Sequence, residues 1–133
     1  MTKAEISRIA PFFIVRDVPV AMAFYRDRLG FEIVFQGPSE DDIFFGIVAR
    51  GGAMIMMKEI GVEPVPNYTR DIKQGIARWD AYLDVPDPDA LAAEFASRDV
   101  EFFTPLSNND DNLRGFEIKD ADGYLLYFGR PNK

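Results

Sequence analysis

Hydrophobic and polar positions change their period several times along the chain, and each change marks an element. "IAPFFIV", Ile9 to Val15, is a short apolar run suited to a strand, with Pro11 at its start or on a sheet edge. "RDVPVAMAFYRDRLG" follows with Ala21, Tyr25 and Leu29 on one helical face. Pro19 suits the first turn of that helix and Gly30 its stop. "FEIVFQ" returns as a strand, and Gly37-Pro38 with Glu40-Asp41-Asp42 predicts a turn. "IFFGIVA" and "AMIMMK" read as a hairpin around Gly51-Gly52. A segment without a clear period, residues 59–77, comes next. A loop of that length in a small domain is functional or joins two halves.

The pattern then starts again. "RWDAYLDV" is a strand, and "DPDALAAEFASRD" is a helix with Asp87 as N-cap and Pro88 at its first position. "VEFFTP", "LRGFEIKD" and "YLLYFG" are strands, the last two closed by the turn Asp120-Ala121-Asp122-Gly123. Sliding the sequence by 69 sets Pro19 on Pro88, Ala21 on Ala90, Ala23 on Ala92 and Glu32 on Glu101. The expected organisation is one domain over 1–133. It holds two βαβββ modules, 6–58 and 78–130, joined by 59–77.

Composition narrows the chemistry. The 133 residues are 47% hydrophobic with 12 Phe, enough for a core without staples. There is no Cys and no His. Thiolate nucleophiles, Ser-His-Asp triads and His-based metal sites are therefore excluded. Absence of Cys suits a cytoplasmic location, and the first residues lack a signal pattern. A net charge of −7 argues against electrostatic nucleic-acid binding, and no apolar run reaches a membrane-spanning length. It suits a cationic partner as well as plain solubility.

"FFIVRDVPVAMAFYRDRLGFEIVF" and "FEIKDADGYLLYFGRP" resemble the glyoxalase/bleomycin-resistance/extradiol-dioxygenase superfamily over Ile9 to Pro131. The resemblance implies an α+β fold in which eight strands curl into an open, barrel-like sheet with helices outside. It implies homodimers with shared clefts. It also places four metal-ligand positions of the metal-dependent members on Ala10, Met56, Asp80 and Tyr127. Only Asp80 among these suits a hard divalent cation. A thioether is a soft ligand, and a phenol ionises near pH ~10. A catalytic ion generally needs three protein ligands, so no metal or other cofactor is expected.

Alternation from those positions lists the cavity lining: Phe12, Ile14, Met54, Met56, Asp80, Tyr82, Glu117, Leu125 and Tyr127. Trp79, Ala81 and Leu83 would then join the helix-side core, and the Tyr127 hydroxyl could tie to Asp80. Phe12, Met54 and Met56 read equally as barrel filling, and Asp80 and Glu117 as a solvated strand edge. The expected function is metal-free binding of an aromatic or cationic small molecule, as in the bleomycin-resistance branch that the chain resembles. Two alternatives stay open: a lyase, isomerase or dioxygenase with a rebuilt site or an Asp80/Tyr127 acid–base pair, and a protein-interaction module.

Overall fold

The computed structural model describes residues 2–67 and 79–132. The first module is β1 (Phe12–Ile14), α1 (Val18–Asp27), β2 (Glu32–Ser39), β3 (Asp42–Arg50) and β4 (Ala53–Lys58). The second is β5 (Ala81–Asp84), α2 (Pro88–Ser97), β6 (Thr104–Asn108), β7 (Leu113–Lys119) and β8 (Leu125–Pro131). Each module makes one four-stranded sheet, in the orders β1-β4-β3-β2 and β5-β8-β7-β6. β1 pairs parallel to β4 and β5 parallel to β8, while the other pairs are antiparallel. The sheets stay open. Of the stretch 59–77, residues 68–77 lie outside the described residues. No helix among the described residues is long and apolar enough to cross a membrane.

Local chemistry accounts for the helices. Asp17 accepts from the Val20 N–H and Asp87 from the Ala90 N–H, each at 3.0 Å, with a proline in each first turn. α1 buries Ala21, Met22 and Tyr25, and α2 buries Ala92 and Phe95. Against them pack Phe13, Ile55 and Met57 from one sheet and Phe116, Ile118 and Phe128 from the other. Alternation therefore sorts each strand into a helix side and an open side, as the period-2 pattern predicts.

Three sequence expectations shift. Gly37-Pro38 lies inside β2, through a cis peptide and a register irregularity, and the turn falls on Glu40 and Asp41. β2 is an edge strand, where a missing N–H costs no ladder bond. "VEFFTP" becomes a strand at Thr104, although the Phe103 N–H already donates to the Glu117 carbonyl at 2.8 Å. The modules are in phase at 70 from Asp17/Asp87 to Arg28/Arg98, the caps of the two helices. At Gly30/Asp99 and Phe31/Val100 the offset is 69. α1 exits through Leu29 and a left-handed Gly30 (φ 71°), whereas α2 exits directly through left-handed Asp99 (φ 62°).

The seam between modules is polar at both ends and apolar between. Arg28 donates to the Arg98 carbonyl at 2.9 Å, and Arg98 donates back to the Asp27 carbonyl at 3.4 Å. Arg50 makes a bidentate pair with Glu94 at 2.8 and 2.9 Å. Phe13 stacks on Tyr124 at 4.1 Å, and the Tyr124 hydroxyl donates to the Ile14 carbonyl at 2.6 Å.

Tyr25, in "FYRDRLGF", donates to Asp120 of "DADG" at 2.6 Å, so the two sequence signatures touch. Asp120 also accepts from the Asp122 and Tyr124 N–H groups at 2.9 and 3.0 Å, which shapes the turn. Burial pushes its carboxyl up to about 6, against the lowering effect of these three donors, and the Asp122 charge adds to the rise. The folded chain thus keeps a proton that the unfolded chain releases from pH ~4 upward. Asp120 contributes most stability below that point, and the contribution falls as pH rises through 6. Asp120→Asn cannot ionise. Its stability relative to the parent chain is expected to rise by on the order of 2–3 kcal/mol between pH 4 and 7. Urea midpoints across that range check it, and a pH-independent difference would refute it.

Candidate functional site

The open faces of the two sheets carry most of the residues that alternation selects. On the first sheet the register sets Phe12, Met56, Ile47 and Phe35 side by side. One step along, Ile14, Lys58 and Phe45 share the face. Phe45 bridges Phe12 at 6.3 Å and Phe35 at 5.9 Å between ring centroids. Phe12 is 51% exposed and Phe35 49%, although both are phenylalanines on a strand. Their neighbours on the helix side, Phe13 and Ile55, are buried.

The second sheet carries a layered aromatic group. Tyr127 and Glu117 are cross-strand partners, as are Gly115 and Gly129, and Tyr127 also pairs with Tyr82. The Tyr127 ring lies over the two glycines. A Cβ on Gly115 would stand 2.6 Å from its hydroxyl oxygen, and a Cβ on Gly129 would stand 2.6 Å from its Cε2. Trp79 stacks on Tyr127 at 4.3 Å with 24° between planes, and Tyr82 lies nearly parallel to Tyr127, at 5.7 Å and 13°. Trp79 Nε1 donates to Glu117 at 2.6 Å, and Thr104 Oγ1 donates to its other oxygen at 2.6 Å. The Tyr127 hydroxyl is buried and has no hydrogen-bond partner among the described residues. Burial, followed by the nearby Tyr82, Glu117 and Asp111, raises its pKa above the ordinary phenol value. Burial also raises that of Tyr82, with Asp84 adding to it.

The Asp80 carboxylate is engaged by the backbone. Its Oδ1 accepts from the Asn67 N–H and its Oδ2 from the Leu125 N–H, both at 2.8 Å. Its own N–H donates to the Leu125 carbonyl at 2.8 Å. The expected tie from Tyr127 to Asp80 does not form. β8 presents the backbone of Leu125 to Asp80, while the Tyr127 ring runs the other way over the glycines. An Asp80/Tyr127 acid–base pair is not assembled either. The donor set at Ala10, Met56, Asp80 and Tyr127 does not fit a divalent metal, since its one carboxylate is committed to backbone N–H groups. Among the described residues no three acidic side chains gather as a metal cluster.

Trp79 also departs from expectation. It lies on the open face with Tyr127, not in the helix-side core with Ala81 and Leu83. β5 begins at Ala81, so strand alternation does not extend back to it. Leu125 shares the parity of Tyr127 but is closed off at 1% exposure. The two clefts beside β1 and β5 divide the remaining residues. A cleft of about 620 Å³ takes in Met54 and Tyr82, is floored by Phe31, Phe95 and Phe128, and has Arg50 in its lining. A second, of about 500 Å³, takes in Phe12, Ile14 and Asp80. Met56, Glu117, Leu125 and Tyr127 line neither, so the nine residues do not form one cavity. Sequence reasoning missed Trp79, Thr104, Phe35 and Phe45 as open-face groups. The signal available for Phe35 and Phe45 was the second phenylalanine in each of "FEIVF" and "IFF".

Paired βαβββ modules, each with one four-stranded sheet and an aromatic open face, define the class of fold. The chain belongs to the Glyoxalase/Bleomycin resistance protein/Dioxygenase superfamily, whose family model matches residues 6–128. No curated protein matches it by sequence. Among solved structures it is similar to the bleomycin-binding protein from bleomycin-producing Streptomyces verticillus complexed with copper(II)-bleomycin. The TM-score is 0.70 at 24% identity, covering 98% of this chain and 100% of that one. It is also similar to TnmS3, an antibiotic binding protein from Streptomyces sp. CB03234, with TM-score 0.64, 19% identity, and 99% of each chain covered. A glyoxalase-related enzyme from Clostridium phytofermentans has TM-score 0.73 at 13% identity, with 96% of this chain and 97% of that one covered. At these identities the likeness establishes the fold.

Proposed function

We propose that this protein binds a flat aromatic, cationic small molecule non-covalently, without a metal, and does no chemistry on it. The observation that carries this reading is the exposure of aromatic rings on both open faces, Phe12 and Phe35 on one and Tyr82 on the other. Aromatic walls of that kind bury planar ligand surface and add ~0.5–1.5 kcal/mol per well-placed ring pair beyond area. Asp84, exposed beside Tyr82 on the open side of β5, supplies a carboxylate for a cationic group. Catalysis has less support. Both Asp80 oxygens are engaged by backbone donors, and the raised pKa of Tyr127 keeps it protonated and so unavailable as a base.

Each open face leaves aromatic rings exposed within one chain. A homodimer that brings an open face of each protomer together would complete the cleft, with the ligand held between them. Sequestration of a bleomycin-type antibiotic is the specific form of this reading, supported by the similarity to bleomycin-binding and antibiotic-binding proteins. Calorimetric titration with metal-free bleomycin tests it. Saturable binding at one ligand per shared cleft is expected, weakened by Tyr82→Ala. Absence of heat at micromolar protein would remove bleomycin from the reading. A heat unaffected by Tyr82→Ala would place the ligand elsewhere.

A further inference from the structure

The chain has a single tryptophan, which tilts against Tyr82 at 5.9 Å on the second sheet and makes two closer contacts there of the kind a bound ligand would make. The ring of Trp79 rests on Tyr127 at 4.3 Å, and its N–H meets a Glu117 oxygen at 2.6 Å. The surroundings are organised around that pair of contacts. Thr104 donates to the second Glu117 oxygen at 2.6 Å and fixes the direction of the carboxylate. Gly115 and Gly129 leave the room in which Tyr127 lies as a floor. The Tyr127 hydroxyl is buried without a partner among the described residues. A polar atom sealed in this way has lost its water and gained nothing in exchange.

Trp79 itself stands before the first residue of β5, so the β5–β8 ladder, which starts at Ala81, does not include it, and its backbone is held instead by Asn67 on its carbonyl at 3.2 Å. Its indole can offer Glu117 one neutral N–H. A planar amidine or amino-heterocycle offers the same flat face with two N–H groups and a positive charge. Charge-assisted hydrogen bonds to a carboxylate are roughly twice as strong as neutral ones.

We infer that Trp79 is a built-in occupant of a ligand slot, and that the slot takes a planar heteroaromatic cation bearing N–H donors. The ligand displaces the indole, lays its ring on Tyr127 and places its N–H groups on Glu117. A substituent acceptor on its far edge meets the Tyr127 hydroxyl. This inference rests on the binding function proposed above and narrows it to one sheet face and one chemical class.

The test uses 2-aminobenzimidazole as probe on the full chain. In the parent protein, titration is expected to shift the emission of Trp79 to the red, saturably, as the indole leaves its stack. Trp79→Ala has no occupant to displace and is expected to bind the probe at least tenfold tighter by calorimetry. Adding Glu117→Gln to that variant is expected to cost at least tenfold. Should Trp79→Ala fail to fold, Trp79→Phe carries the test, because it keeps the ring and lacks the N–H held by Glu117. It too should bind more tightly than the parent. Weaker binding by the Trp79 variants would overturn the inference and make the indole a wall on which ligand stacks. An unchanged affinity on Glu117→Gln would also overturn it. If the probe binds neither parent nor variant while metal-free bleomycin still titrates, the inference fails and the binding function stands. If bleomycin also fails, the inference falls together with the bleomycin form of the binding function.

Discussion

Replacing Asp80 with alanine is expected to destabilise the protein by about 2–4 kcal/mol, with a melting temperature lower by roughly 10 °C. The reason is the pair of backbone donors that the carboxylate holds, from Asn67 and Leu125, each at 2.8 Å. Leu125 is 1% exposed, so its N–H cannot turn to water when the carboxylate is gone. An unsatisfied buried donor costs ~1–3 kcal/mol, and hydrogen bonds to a charged acceptor sit at the upper end. Asp80→Asn is not conservative. One of its two terminal atoms becomes a donor and faces another donor, so at least half the loss should remain. Addition of Mn, Ni or Zn salts should leave the melting temperature of the parent unchanged. A melting temperature that rises with metal, or an Asp80→Ala variant as stable as the parent, would return Asp80 to the ligand role that its position in the sequence suggests.

Gly115→Ala is expected to cost more, ~3 kcal/mol or above. The added methyl would run into the Phe128 carbonyl oxygen, and would lie 2.6 Å from the Tyr127 hydroxyl oxygen and 2.7 Å from its Cζ. Overpacking a well-filled site costs typically ~1–3 kcal/mol when side chains can give way. Here the obstacle is partly the backbone of β8, which cannot retreat without parting from β7. Gly115→Ala/Tyr127→Ala therefore separates the two contributions by chemical denaturation. Removing the ring should recover little, because the carbonyl contact remains. Full recovery in the double variant would assign the glycine to ring accommodation alone.

The parts of the fold that were legible in the sequence are those where one face is buried. Phe13 and Val15, Ile55 and Met57, and Phe116 and Ile118 alternate with open-face neighbours because a strand on a helix layer must hide every second residue. The second helix was legible through Asp87, whose side chain acts within three residues of itself, and the first through Pro19 and the face of Ala21, Tyr25 and Leu29. The candidate site was legible as a set of strand positions and not as a set of contacts. Asp80 finds its partner in Leu125, 45 positions away, and Trp79 finds Glu117 at a separation of 38. Those partners depend on how β5 and β7 register against β8, and alternation within one strand carries no such information. The same limit explains why Trp79 was assigned to the core. Parity is meaningful inside a strand, and Trp79 precedes one.

The exchange between the ends of the two helices is close to reciprocal. Arg28 caps the carbonyl at Arg98, and Arg98 reaches the carbonyl at Asp27. Each module thus carries an arginine that reaches the end of the other's helix, a reciprocity offset by one residue. That is the signature of an isologous contact, the kind two identical subunits make across a two-fold axis. The seam joins the two modules as such an interface would join two half-length chains. A backbone cut in the segment 59–67 would turn the intramolecular seam back into an association between two polypeptides.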